Sequence, residues 1–239
     1  DRRQRQMCIR DSVSFVKGRN RLTIKASNRP GVRQVRVSMA DGTSIRASID
    51  ESTHYLPMSV CTRTGFSGWT YTQKSNARVC QGEVHWQGRS YNLESLRALA
   101  GVDWTGGYMR HETSWNWASI SGRLNDQRKV GLNLSAGVNE TGFSENTLWI
   151  DGVPTVMPGV HFQFNREDTD SGWSVTSHDN TVRLHFDPVV NYHDHTNAII
   201  AASNFRQYLG RYSGEIDLPH ETIHIDNLWG LAEDHYARW

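Results

Sequence analysis

The chain has 239 residues, with 26 Lys and Arg against 25 Asp and Glu for a formal net charge of +1, and this near balance excludes a general polyanion binder and nucleic acid as a partner. Hydrophobic residues make up 37%, enough for a core in one large domain or two small ones without help from a metal or disulfide. No apolar run approaches the ~18 residues of a membrane-spanning helix, so no stable membrane insertion is expected.

The 3 cysteines, Cys8, Cys61 and Cys80, are odd in number and form no Cys-x-x-Cys. This favours reduced thiols and a cytoplasmic address, with a Cys61–Cys80 bridge left open. Asp1–Ser12 carries neither a strand nor a helix period. Its MCIRDS run resembles translated linker read-through of the kind found in metagenomic assemblies, so residues 1–12 are set aside as a non-native leader and the natural N-terminus is expected to be missing. Basic residues, among them Arg19, Arg21, Lys25, Arg29, Arg33 and Arg36, crowd the first 40 positions, a bias that solvated strand faces explain.

From Val13 the punctuation is that of an all-β protein. Leu22–Ala26, Val32–Met39 and Ile45–Ile49 read as strands, the last two joined by the Asp41-Gly42 turn. Tyr55–Cys61, Trp69–Gln73, Val79–Trp86 and Arg89–Leu93 continue the series, and Glu94–Ala100 alone looks helical, with Gly101 placed to cap it. A boundary there predicts an N-terminal β unit over 13–98 and a C-terminal barrel-like unit over 99–239. Ser114–Gly122 alternates, with Trp115, Trp117, Ser119 and Ser121 on one face and Asn116, Ala118, Ile120 and Gly122 on the other. Lys129–Leu134, Glu145–Asp151, Val153–Val156, His161–Phe164, Trp173–Thr176, Val182–Phe186, Ile199–Ala202, Phe205–Ile216 and Thr222–Ile225 complete an antiparallel sandwich or barrel. Tyr192–His195 reads as a polar loop rather than a metal site.

The blocks WNWASISGR, VGLNLSAG, ENTLWIDG, LGRYSGEI and GLAEDHYARW resemble, in order and spacing, the family known as domain of unknown function 2804. The earlier PMSVCTRTGFSGWTYTQKSNARVCQGEV is similar to the segment that precedes them in that family. The chain departs from the family's pattern at DWTGGYMRHETS. By overall look the family is similar to calycin-like proteins such as carotenoid 1,2-hydratase. This implies antiparallel lipocalin-like barrels, two packed β units of which the first is incomplete, and cofactor-free work on hydrophobic ligands.

A barrel lined with indole is a site for a hydrophobic or amphipathic small molecule, and 9 tryptophans are available,. Acid or base chemistry there requires a carboxyl or imidazole in a dry pocket, and Glu145, Asp103 and His235 are the catalytic candidates, with Glu112 and Glu233 beside them. Trp115, Trp117, Asn116, Arg110, Tyr108, Asn146 and Arg211 are the candidate binding residues. Glu145 opens a strand after the loop Val138–Ser144, a candidate rim, and is read either as a buried base or as a strand-edge carboxylate in water. Asp103 with Arg110, and Glu233 with Arg238, are equally structural ion pairs. No phosphate loop opens a helix and no nucleophile elbow occurs, so no cofactor and no serine-hydrolase chemistry are expected, and with Tyr192–His195 read as a loop no metal is expected either. Three readings stay open: a hydratase- or isomerase-type enzyme, a non-catalytic lipid-binding protein, and a carbohydrate-active protein with a carboxylate pair.

Overall fold

The structure, a computed structural model, describes residues 12–52, 54–137, 142–198 and 201–238. The expected leader up to Asp11, with Cys8, lies outside the described residues, as do residues 138–141 of the expected rim loop and residues 199–200 of one expected strand. Every regular element among the described residues is a strand, and the chain divides into two compact units, Asp1–Tyr55 with Arg78–Ala100, and Leu56–Ala77 with Gly101–Trp239. Sequence order alone assigns 56–77 to the first unit. Its hydrogen bonds and ion pairs hold it in the second.

In the first unit β1 (Ser12–Lys17), β2 (Asn20–Ala26), β3 (Val32–Ser38) and β4 (Ser44–Asp50) form an antiparallel meander. Alternation sets Leu22, Ile24, Val35, Val37, Ile45 and Ala47 opposite one another on one face, leaving Arg21, Thr23, Arg36 and Arg46 for the other,. β5 (Met58–Arg63) precedes β6 (Trp69–Trp86), a long strand that gives 69–77 to the second unit and 78–86 to the first. β4 pairs with the later part of β6. β7 (Arg89–Asn92) folds back on it through Gln87-Gly88, both at positive φ as a tight hairpin turn requires,.

The expected helix over Glu94–Ala100 is absent. Asn92 Oδ1 accepts from the Ser95 amide at one end, and the Arg97 and Ala98 amides close back on Glu94 and Leu93 at the other, with Arg97 at φ 53°. A single turn capped at both ends leaves no room for a helix to propagate. β8 (Leu99–Gly107) follows and pairs with β6, so Gly101, expected to cap a helix, lies within a strand.

The second unit is built on β9 (Glu112–Arg123), β10 (Lys129–Ala136), β11 (Thr147–Ile150), β12 (Val153–Val156), β13 (Val160–Gln163), β14 (Trp173–Ser177), β15 (Val182–Asn197), β16 (Ala202–Asp217) and β17 (Thr222–Arg238). They form one curled antiparallel sheet in the order β12-β11-β10-β9-β17-β16-β15-β14-β13. Its apolar face packs Ala118 and Ile120 with Val130, Leu132, Leu134, Trp173, Phe186, Tyr208 and Tyr212 into a continuous core, burial that supplies most of the folding free energy. β16 bends where its register to β17 shifts at Tyr212/Gly214, a bulge that Gly214 at φ 136° accommodates,.

Two expectations at this end are corrected. Tyr192–His195 is strand, paired with Phe205–Gln207 and Asn204 of β16, and not a loop. The last expected strand, Thr222–Ile225, runs on as β17 to Arg238, so the block GLAEDHYARW is strand lying between β9 and β16. In both places polar residues stand on both strand faces, so the period that marks a half-buried strand is missing from the sequence. Cys61 and Cys80 are free thiols.

Candidate active site

The other face of the curled sheet carries the polar chemistry. Register sets Trp115, Trp117, Ser119 and Ser121 of β9 beside His235, Glu233 and Leu231 of β17 and Ser135, Asn133 and Gly131 of β10. Trp117, Ser119, Ser121, Asn133 and Leu231 line a cavity of about 290 Å³, closed further by Leu209, Trp229, Asp103, Asn76 and Lys74. All belong to the second unit.

Lys74 is the residue that sequence reasoning missed. Thr70, Thr72, Lys74 and Asn76 alternate along β6 and all are buried. The intervening Gln73, Ser75 and Ala77 give the run no apolar stripe, so 74–78 passed for a gap between two strands. The only sequence signal was the length of that polar run without Gly or Pro. Burying such groups requires partners, and the structure supplies them. Asn76 Nδ2 donates to Ser119 Oγ at 2.9 Å and to the Leu132 carbonyl, and the Ala77 amide donates to Ser121 Oγ at 3.0 Å. Gly131 permits this approach, since a Cβ there would stand 2.8 Å from Asn76 Cβ.

Lys74 Nζ sits 2.8 Å from Glu145 Oε2 and 3.1 Å from Asp103 Oδ2, with the Trp117 ring centroid 5.4 Å away. Burial opposes its charge, but the attraction of Glu145 and then Asp103 prevails and holds the lysine above its ordinary pKa,. It is therefore an ammonium at neutral pH and not a nucleophilic amine. Glu145 is held by its own backbone: its carbonyl accepts from Asn133 Nδ2 at 2.9 Å, and Asn133 Oδ1 in turn accepts from Trp117 Nε1 at 2.7 Å. Glu145 is 3% exposed whereas the Asp103 side chain is 47% exposed, so Asp103 is the carboxylate that meets the cavity.

Along the same face, Glu233 accepts from Gln207 Nε2 at 2.6 Å and from Trp115 Nε1 at 3.4 Å. Burial pushes its pKa up, against the pull of those two donors and of Lys74. His235 packs its ring 4.2 Å from Trp115 and 4.9 Å from Phe205, Nε2 lies 3.3 Å from Ser203 Oγ, and burial lowers its pKa against the pull of Asp234.

The expected residues thus divide. Glu145, Asp103 and Trp117 meet at Lys74, and Trp115 and His235 lie with Glu233 further along the face. Tyr108 is exposed, its ring edge-on to Trp69, and Arg110, between β8 and β9, is not among the residues lining the cavity. Asn116 points to the opposite face, donating to Asp234 Oδ1 at 3.0 Å. Asn146 is fully buried, accepting from the Ser135 amide at 2.7 Å and donating to the Pro158 carbonyl at 2.9 Å, which is a structural role. Arg211 lies 3.6 Å over the ring of Trp229, itself part of the cavity wall. The considered ion pairs are replaced: Asp103 holds Lys74, and Glu233 rests on neutral donors.

The antiparallel curled sheets are those of an all-β, calycin-like fold, and the apolar core and polar-walled cavity described above both belong to the second unit. The chain belongs to the family described as Domain of unknown function (DUF2804), matched over residues 3–239. Among solved structures it is similar to kievitone hydratase from Nectria haematococca, at 12% identity and TM-score 0.51, covering 89% of this chain and 70% of that one. It is also similar to CghA with Sch210972, at 8% identity and TM-score 0.45, covering 93% and 69%. No protein of curated function matches it. The likeness to the hydratase is one of fold.

Proposed function

We propose that this protein binds a hydrophobic or amphipathic small molecule against the Trp117 and Trp229 wall and performs cofactor-independent acid/base chemistry on it, of hydratase or isomerase type. One observation supports this most: an ammonium and a carboxylate 3.1 Å apart, Lys74 and Asp103, both form part of the wall of a cavity otherwise built of indole, leucine, amide and hydroxyl groups. Two of the three ammonium donors answer carboxylates, and the third is left for a carbonyl or hydroxyl oxygen of the ligand. Asp103, half in solvent, accepts a proton from water or substrate. Glu233, whose pKa burial raises against the donors Gln207 and Trp115, is the acid of the pair,. Glu145 positions Lys74, and His235 packs behind Trp115. A hydratase among the proteins of similar fold accords with this assignment.

The carbohydrate reading is the weaker. Asp103 and Glu145 grip one ammonium, which leaves no room for a sugar ring between them, and Glu145 is closed to solvent,. A non-catalytic carrier is the remaining alternative, since the Lys74 charges are paired. Glu233 favours the enzyme, because its carboxyl accepts from the neutral donors Gln207 and Trp115 rather than from a cation. The free Cys61 and Cys80 thiols support a cytoplasmic address,.

Native mass spectrometry of protein purified from cells tests the reading. A bound small-molecule mass is expected, and it should vanish in Leu209→Trp, which fills the cavity with an indole while the fold persists. An adduct that survives Leu209→Trp, or none in the wild type, counts against the cavity.

A further inference from the structure

Three arginines on the polar face of the first unit are used by nothing in the site above. Arg36 of β3 stands directly opposite Arg46 of β4, and Arg21 of β2 lies one pair along, opposite Ser38. With Thr23, Ser38 and Ser44 they line an open hollow of about 460 Å³. Like charges facing each other across adjacent strands destabilise a sheet unless something neutralises them.

The neighbouring carboxylates do not. Glu51 holds Arg33 at 2.7 Å, Glu83, opposite Arg46 in register, turns to His85 at 3.0 Å, Asp41 accepts from the Thr43 amide, and Asp50 accepts from the Ser52 amide. Among the described residues the guanidinium groups of Arg21, Arg36 and Arg46 have no hydrogen-bond or ion-pair partner. Three unpartnered guanidinium groups and neighbouring hydroxyls lining one hollow supply the donors an oxyanion needs, since each guanidinium presents a planar fork that matches two oxygens at once,.

We propose that Arg21, Arg36 and Arg46, with Ser38, Ser44 and Thr23, bind a doubly charged oxyanion, a phosphate or sulfate group. The site belongs to the first unit, whereas the Lys74 cavity belongs to the second, and it does not depend on how that cavity is read. It assigns a use to arginines that sequence alone left as a solvated strand face.

Titration calorimetry of the full chain with inorganic phosphate, sulfate, pyrophosphate and glycerol phosphate tests it, together with Arg36→Gln, Arg36→Gln/Arg46→Gln and, as a charge-matched control, Arg89→Gln on β7. Saturable binding of pyrophosphate is expected, weakened about tenfold or more in Arg36→Gln and unchanged in Arg89→Gln. Tighter binding of glycerol phosphate than of the inorganic ions would place the anion on a carrier molecule, whereas equal affinities would mark a free ion, and either supports the site. Absence of saturable binding overturns it, as does equal weakening in Arg36→Gln and Arg89→Gln. A short single-stranded oligonucleotide that binds where pyrophosphate does not would also overturn it, by showing a diffuse electrostatic surface instead. All the substituted side chains are exposed, so thermal melting is expected to match the wild type and confirm that each variant is folded,.

Discussion

Lys74 Nζ lies 2.8 Å from Glu145 Oε2, and neither side chain is more than a tenth exposed. A carboxylate in that position is no strand-edge group in water. Removing one member of a buried pair leaves the other uncompensated, at a cost of about 3–5 kcal/mol, whereas replacing both with apolar groups is often neutral. Lys74→Met is therefore expected to cost about that much in urea unfolding. Lys74→Met/Glu145→Leu should recover a large part of the loss. Strict additivity of the two single losses would show that the pair is not coupled.

Glu233 and His235, two residues apart on β17, should impose opposite pH dependences. Burial raises the Glu233 pKa above its ordinary 4.5. A raised carboxyl binds its proton more tightly in the folded state, so its contribution is full below the unfolded pKa and is lost as pH rises through the folded one. Glu233→Gln should therefore melt higher than the wild type at pH 8 and lose that advantage toward pH 4. A Gln variant that melts lower than the wild type at pH 8 would mean the carboxylate is stabilised as an anion.

Burial lowers the His235 pKa below 6.5. That contribution is present above the unfolded pKa and disappears as pH falls through the folded one. His235→Phe retains a ring between Trp115 and Phe205, and should lose less melting temperature than the wild type between pH 7.5 and pH 5. Equal losses in the two proteins would place the acid sensitivity elsewhere.

Legibility in the sequence depended on where polarity and burial coincide. On β9, Ala118 and Ile120 face the core while Trp117, Ser119 and Ser121 face the cavity, and simple alternation gave that division. Asp41-Gly42 announced its turn between β3 and β4 because its backbone demand is local. Lys74 was hidden for the converse reason. Its burial depends on Asp103 and Glu145, which arrive from distant parts of the chain, and no period along β6 encodes such a partnership. The capped turn at Asn92–Ala98 looked helical because one turn and a helix share their residue preferences.

The cavity should discriminate ligands by charge. Asp103 and Glu145 together outweigh the single Lys74 cation, and a further anion in low-dielectric surroundings is repelled by several kT. In tryptophan-quenching titrations a medium-chain alcohol is expected to bind about tenfold more tightly than the carboxylate of equal length. Asp103→Asn should narrow that gap by favouring the carboxylate. A wild type that prefers the carboxylate would instead make Lys74 an anion anchor.

The C-terminal strand should be indispensable. β17 is paired on one side with β9 from Glu112 to Ile120 and on the other with β16 along its length. Ala232 and Ala237 are buried, and Tyr212 Oη donates to the Leu231 carbonyl at 2.9 Å. Ending the chain at Trp229 would strip β9 of its pairing to β17 and the first half of β16, Ala202–Gly210, of its own, and would open the core beside Ala118 and Tyr208,. The truncated chain is expected to be insoluble, or to lack the cooperative thermal transition of the full chain when followed by near-ultraviolet circular dichroism. A truncated protein that melts cooperatively within a few degrees of the full chain would show that β17 is dispensable and that the tail is peripheral after all.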